Sequence, residues 1–215
     1  MVKSRLRSSF ANNRGYNSSN HFSNKGEQMK WKPEFHPKSL YFLTTSTIHH
    51  YQLFREDTIK RLLLDTLDCF RLRNKFQLFG FVIMPNHIHL LTRFPSRYPF
   101  GDWMRDFKRH SADRINRSDW MPSDGRFFSS GRKEDSNQIW EEGYSAKEIF
   151  SWKVMLQKLN YIHRNPCQQH WQLSRSPKDY PWSSARFYLT DLPCIIPIDD
   201  ARKVDYEDMN ISIEN

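Results

Sequence analysis

Two β-rich runs joined by a tight turn constrain the fold of this 215-residue chain more than any other feature. Phe76–Ile83 is predicted to be a buried strand, Met84-Pro85-Asn86 a turn, and residues 87–94 the returning strand. Side chains at positions i and i+2 of a strand point to the same face, so His87 and His89 project side by side. They could hold one metal ion or phosphate, or they could be partly buried structural histidines.

The pattern on both sides of this hairpin predicts the order β-α-β-β-α-β-α. The other predicted elements are a strand at 39–48, a helix at 55–74, a helix at 101–116, a short strand at 138–144, a helix at 148–164 and a short helix from about 182. Asn165-Pro166 ends the long helix, because the residue before proline disfavours the α region. We therefore expect an α+β, ferredoxin-like fold, a mainly antiparallel sheet with helices packed on it.

Charge and cysteine content narrow the class of protein. The net charge of +9 favours a polyanionic partner, most simply nucleic acid. The longest apolar run is too short to span a bilayer, so we expect no membrane partner. The three cysteines lie far apart without a Cys-x-x-Cys pair, which argues against a zinc ribbon and fits a reducing cytoplasm.

Composition divides the chain into three parts. Residues 1–34 are rich in Ser, Asn, Arg and Lys, with little to bury, and predict a disordered basic arm. Residues 35–192 carry the globular pattern, interrupted by a polar loop at 118–137. Residues 193–215 are acidic and predict a loosely held tail.

A tyrosine and an asparagine near the end of the long helix are candidates for chemistry. Tyr161 and Asn165 are four residues apart and share a helix face. A tyrosine hydroxyl can act as a covalent nucleophile, and a carboxamide oxygen can join two imidazoles around a divalent cation. Alone, Tyr161 could be a core residue and Asn165 a helix cap. Their combination with His-x-His favours a functional site.

Three sequence blocks together resemble a known family. They are Phe81–Leu91 (FVIMPNHIHLL), Leu159–Pro166 (LNYIHRNP) and Asp179–Tyr188 (DYPWSSARFY). Over roughly residues 35–190 the chain resembles the single-tyrosine HUH transposases, and most closely their REP-associated branch.

The resemblance implies an HUH endonuclease fold and a bacterial, nucleoid-associated protein acting as a monomer or homodimer. In this family a tyrosine cleaves and rejoins single-stranded, hairpin-forming DNA through a 5′-phosphotyrosine intermediate. By position the nucleophile is Tyr161, and His87, His89 and Asn165 would hold Mg²⁺ or Mn²⁺. Some relatives are dimers that exchange the tyrosine helix between subunits.

DNA contacts are expected from basic residues on the helix at 101–116, which are Arg105, Lys108, Arg109 and Arg114. The alternative for each is a solvated surface position.

Two other functions remain open at this stage. One is a domesticated, non-catalytic protein that binds hairpin DNA. The other is a hydrolase with zinc on His87 and His89, although no residue at a recognisable spacing offers a third ligand.

Overall fold

The computed structural model describes residues 34–118 and 138–204. Within these ranges the strands are β1 (Leu40–Ser46), β2 (Gln77–Ile83), β3 (His87–Arg93) and β4 (Ser145–Ile149). The α-helices are α1 (Asp57–Asn74), α2 (Phe100–Asn116), α3 (Trp152–Arg164) and α4 (Ala185–Thr190). No helix in these ranges is long and apolar enough to cross a membrane. The predictions for the basic arm, the polar loop and residues 205–215 fall almost wholly outside the described residues.

The four strands form one antiparallel sheet in the order β2-β3-β1-β4, and each face of the sheet carries its own helices. Neighbouring residues of β1 show the division, because strand side chains alternate between faces. The Tyr41 ring lies 4.6 Å from Phe100 of α2, whereas the Phe42 ring lies 6.0 Å from Tyr161 of α3. Helices α1 and α2 thus share one face and α3 covers the other. This arrangement confirms the predicted ferredoxin-like fold.

Helix α3 approaches the sheet closely at Gly80 of β2. A Cβ atom at Gly80 would lie 2.7 Å from the Cδ1 atom of Leu159 and 3.6 Å from that of Ile162. Both the leucine and the isoleucine belong to the buried side of α3. The missing side chain at Gly80 therefore lets this helix lie against the strand, which is a common reason for glycine inside a sheet.

The predicted helix at 148–164 begins four residues too early. Residues 145–149 instead form the edge strand β4, which pairs with β1 and buries Ile149 opposite Leu40. The helix begins at Trp152 because the Ser151 hydroxyl accepts a hydrogen bond from the N–H of Val154 at 3.3 Å, as an N-cap does. The short strand predicted at 138–144 is reduced to a single bridge between Trp140 and Thr47.

The expectation of a loose tail from residue 193 does not hold for the described residues up to 204. Ile196 and Ala201 are buried. The backbone N–H of Asp199 donates to the carbonyl of Leu78 at 2.8 Å, and its carboxylate accepts from the N–H of Leu78 at 2.9 Å. Asp199 therefore pairs with backbone groups at the edge of β2. A count of charges in the segment does not reveal this pairing.

Replacing Gly80 with valine should weaken the docking of α3. The added side chain overlaps Leu159, and overpacking of this kind costs about 1–3 kcal/mol of unfolding free energy. Urea denaturation measures the loss. In a double-mutant cycle, Leu159→Ala should cost less in the Gly80→Val background than in the wild type, because it removes the clash. Strictly additive effects would contradict the close approach.

Candidate active site

His87 and His89 lie side by side on β3, as the strand pattern predicted, with ring centroids 4.7 Å apart. The β1–β3 register places Thr44 opposite His89, and the Thr44 hydroxyl lies 2.7 Å from His89 Nδ1. Phe42, two residues earlier on the same face, stacks on the His89 ring at 5.2 Å. His89 is therefore fixed from β1 by one hydrogen bond and one ring contact.

Both imidazoles are neutral at physiological pH. Burial lowers the pKa of His87 to about 4, with smaller contributions from His50 and His170. Burial lowers the pKa of His89 to about 3, with smaller contributions from His87 and Lys158. A neutral imidazole keeps one nitrogen lone pair available for a cation or a proton.

The Nε2 atom of His89 is buried and has no hydrogen-bond partner within the described residues. If Nδ1 carries the proton and donates to Thr44, the Nε2 lone pair is free to bind a metal ion. Such an outer hydrogen bond is how proteins commonly fix the tautomer of a ligating histidine. An unsatisfied buried nitrogen is otherwise costly, so the donor set at His89 fits a metal ion.

Tyr161 lies against these histidines within the same chain. Its ring centroid is 5.2 Å from that of His89 and 6.0 Å from that of Phe42. The tyrosine is 42% exposed, so its ring contacts the site on one side and faces solvent on the other. This combination suits a group that must reach a bound polymer.

Asn165 follows Tyr161 by one helical turn and is buried. Its backbone N–H donates to the Tyr161 carbonyl, so the helical path continues to this residue. In the described part of the chain, no hydrogen bond joins its carboxamide to either imidazole. Nor does this part contain a group of three His, Cys, Asp or Glu side chains that could hold a metal ion. A metal site here would depend on Asn165 or on the bound substrate.

The four basic residues predicted to bind DNA lie on α2, across the sheet from Tyr161. They make local contacts there: Arg105 with Asp102 at 2.7 Å, Arg109 with Asp106 at 3.2 Å, Arg114 with Thr66 at 2.9 Å, and Lys108 with the carbonyls of Glu141, at 2.8 Å, and Gly143. The structure does not bring them to the histidines. Their contact with DNA stays a prediction.

Three residues near the histidines were missed by sequence reasoning. Thr44 is placed only by strand register, and the Trp171 ring, 5.8 Å from His87, only by the loop after α3. Lys158 could have been found, because it precedes Tyr161 by three residues on the same helix face. Its ammonium lies 5.0 Å above the Phe42 ring.

Comparison with known proteins identifies the family. The model of the family described as "Transposase IS200 like" matches residues 35–165, a range that contains both histidines and Tyr161 and ends at Asn165. The chain belongs to the IS200-like transposase family. This confirms the family predicted from the sequence blocks.

Solved structures extend the fold comparison for this IS200-like transposase. It is similar to a REP-associated tyrosine transposase bound to a REP hairpin, with 19% identity over 80% of this chain and 92% of the other, and a TM-score of 0.58. A putative transposase from Deinococcus radiodurans gives 21% identity over 61% of this chain and 95% of the other, with a TM-score of 0.40. No curated protein is significantly similar to the chain.

Stability should fall as the pH decreases from about 6.5 to about 4. Burial also lowers the pKa of His163 to about 4, so three imidazoles resist protonation in the folded chain. The unfolded chain binds more protons in this window, which favours unfolding. His36 acts in the opposite sense because Glu148 raises its pKa, but it is one exposed ring against the buried rings of His89 and His163 and the half-buried ring of His87.

Urea denaturation with a chelator present, at about pH 7 and about pH 5, measures this effect while most carboxylates stay ionised. A denaturation midpoint that is unchanged or higher at the lower pH would contradict the buried, neutral histidines.

Proposed function

We propose that the chain cleaves and rejoins single-stranded DNA through a covalent 5′-phosphotyrosine link at Tyr161. The observation that carries this proposal is the position of the Tyr161 ring, 5.2 Å from His89 and half-exposed beside two neutral imidazoles. The family assignment supports a transposase activity, and the contact between Tyr161 and His89 supports these residues as the ones that carry it out.

The reaction begins with attack of the Tyr161 hydroxyl oxygen on the phosphorus of the scissile phosphodiester. A tyrosine O–P bond forms while the bond from phosphorus to the 3′ oxygen breaks. The phenolic proton passes to solvent, and the departing oxygen takes up a proton from solvent to become a free 3′-OH. A 3′-OH from another DNA end can then attack the phosphotyrosine and release Tyr161, so covalent catalysis conserves the phosphodiester bond energy.

His87, His89 and Asn165 would hold Mg²⁺ or Mn²⁺. When bound, such an ion would polarise a non-bridging phosphate oxygen and offset the charge that develops on the leaving oxygen. The chain's own contribution is to hold two imidazoles neutral and to fix His89 through Thr44. The Lys158 ammonium adds positive charge on the same side of α3 as Tyr161, where the phosphate would lie.

The proposed substrate is hairpin-forming single-stranded DNA of the REP type. The net charge of +9 favours a nucleic acid partner. The similar solved structure is bound to a REP hairpin, which supports the same class of ligand here. Because Tyr161 already lies beside His89 of its own chain, a monomer would have all the proposed residues.

Tyr161→Phe should abolish the covalent protein–DNA adduct and leave DNA binding nearly unchanged, because only the nucleophilic oxygen is removed. Denaturing gels with hairpin DNA from the gene's flanks, in Mn²⁺ or Mg²⁺, measure the adduct. Tyr144→Phe is a matched control, since Tyr144 packs against Phe100 on the α2 side.

An adduct that persists in Tyr161→Phe would exclude this tyrosine as the nucleophile. If the wild type bound hairpins tightly but formed no adduct with any divalent metal, the non-catalytic function would replace the proposal.

Thr44→Val should weaken metal binding about 10- to 100-fold, since loss of an outer hydrogen bond to a ligating histidine has effects of this size. The change preserves side-chain shape but removes the partner of His89 Nδ1. Titration calorimetry with Mn²⁺ measures the affinity without relying on catalysis. Thr45→Val is the control, because Thr45 is buried on the opposite face of β1. Equal affinities for both variants would contradict the role of Thr44.

A further inference from the structure

A recess of about 260 Å³ opens at the end of the sheet, next to the turn between β2 and β3. Pro85, Leu173 and Trp182 form apolar walls, and Tyr180 donates a hydrogen bond to the carbonyl of Ile83 at 2.8 Å. The N–H of Ile83 donates to the carbonyl of Trp182 at 2.9 Å, so the segment carrying both aromatic residues is fixed to β2. The walls are therefore part of the folded domain.

The recess lies beside the proposed catalytic residues. Pro85 precedes His87 by two residues, which limits the separation of their Cα atoms to about 7 Å. Leu173 follows Trp171 by two residues, and the Trp171 ring lies 5.8 Å from His87. Two separate chain segments thus connect the recess to His87. A strand of DNA with its phosphate at His87 and His89 would have a neighbouring nucleotide within reach of it.

One rim of the recess carries charge. Lys60, although buried, donates hydrogen bonds to the carbonyl of Arg55 and the carboxylate of Asp57, both at 2.8 Å. Its ammonium lies 5.3 Å from the centre of the Trp182 ring. Asp57 also lines this rim, where it pairs with Lys60, and the exposed Arg55 forms no ion pair within the described residues. The apolar walls suit the aromatic base of a nucleotide, and the Arg55 guanidinium at the rim suits its phosphate.

We infer that this recess binds one unpaired nucleotide of the DNA adjacent to the scissile phosphate. The base lies against Pro85, Leu173 and Trp182, and Arg55 contacts a backbone phosphate. The volume is slightly below the range of about 300–1,000 Å³ typical of drug-sized sites, which suits a single base. The inference rests on the proposed function and adds to it a position at which the enzyme selects its cleavage site.

The test combines a filled recess with DNA that lacks single bases. Leu173→Trp fills the recess, and Leu189→Trp is the matched control, because Leu189 is exposed on α4 away from it. Both changes are made in a Tyr161→Phe background, so that equilibrium binding is measured without cleavage. The DNA is a hairpin that the wild type converts to adduct, with one abasic nucleotide placed in turn at each unpaired position near the cleavage point.

With Leu173 intact, we expect one abasic position to reduce affinity about tenfold, within the range measured for loss of one base–aromatic contact. Leu173→Trp should reduce the affinity for intact DNA by a similar factor. An abasic nucleotide at that position should then cause no further loss of affinity. Leu189→Trp should keep the parent profile. Arg55→Ala should weaken binding and reduce its salt dependence by about one phosphate contact.

An unchanged abasic profile in Leu173→Trp, with adduct still formed by the wild type, would overturn the inference and leave the proposed function standing. A loss spread equally over all abasic positions would do the same, since it would indicate a general defect or another occupant of the recess. If the wild type neither bound hairpins nor formed an adduct, both proposals would fail together.

Discussion

The contact between α3 and the sheet face carrying His87 and His89 is the interaction on which the candidate site depends. That face is built from alternate residues of β1 and β3, which place Phe42 and Thr44 around His89. Gly80 admits the apolar side of α3, and Tyr161 then lies against the histidines while half of its ring stays exposed. Packing of α3 on the sheet thus places Tyr161 beside the two histidines of β3.

The two faces of the sheet differ in the residues they carry. Helices α1 and α2 cover one face, and the basic side chains of α2 are engaged there by carboxylates and carbonyls. On the other face, Lys158 lies near enough to His89 to contribute to its lowered pKa. Burial is the main reason that both imidazoles are neutral, and a neutral imidazole is the form that can bind a cation. The burial that lowers the pKa of both histidines therefore also leaves them in the form that the proposed metal site requires.

Much of this arrangement could be predicted from the sequence because strong local signals agreed with one another. The turn at Met84-Pro85-Asn86 and the two-residue spacing of the histidines sufficed to place both rings on one face. The predicted start of α3 is too early, since Glu148 is favourable in helices and Ile149 fits the apolar spacing, and nothing local shows that they lie on an edge strand. Thr44 reaches the site through strand pairing and Trp171 through the turn that follows α3, and local patterns specify neither.

The tail shows the same limit of local patterns. Its acidic composition predicted a loose segment, yet Asp199 satisfies the backbone of Leu78 at the edge of β2. A charge count describes how well a segment is solvated and does not show whether a particular carboxylate meets an unpaired N–H. Among the basic residues of α2, Arg105 and Arg109 pair with acids three residues away, which helical spacing could have shown. The partners of Lys108 and Arg114 lie on other segments and could not be found in this way.

The central claim is that Tyr161 acts on a phosphate held at the histidines of its own chain. Mixing two inactive variants tests it most directly: Tyr161→Phe, and a size-tagged chain carrying His87→Ala and His89→Ala. Hairpin DNA and Mn²⁺ are added, with wild-type protein as the positive control. We expect adduct for the wild type and none for the mixture. Adduct on the tagged chain in the mixture would show that the tyrosine acts at a partner's histidines, and would contradict the account.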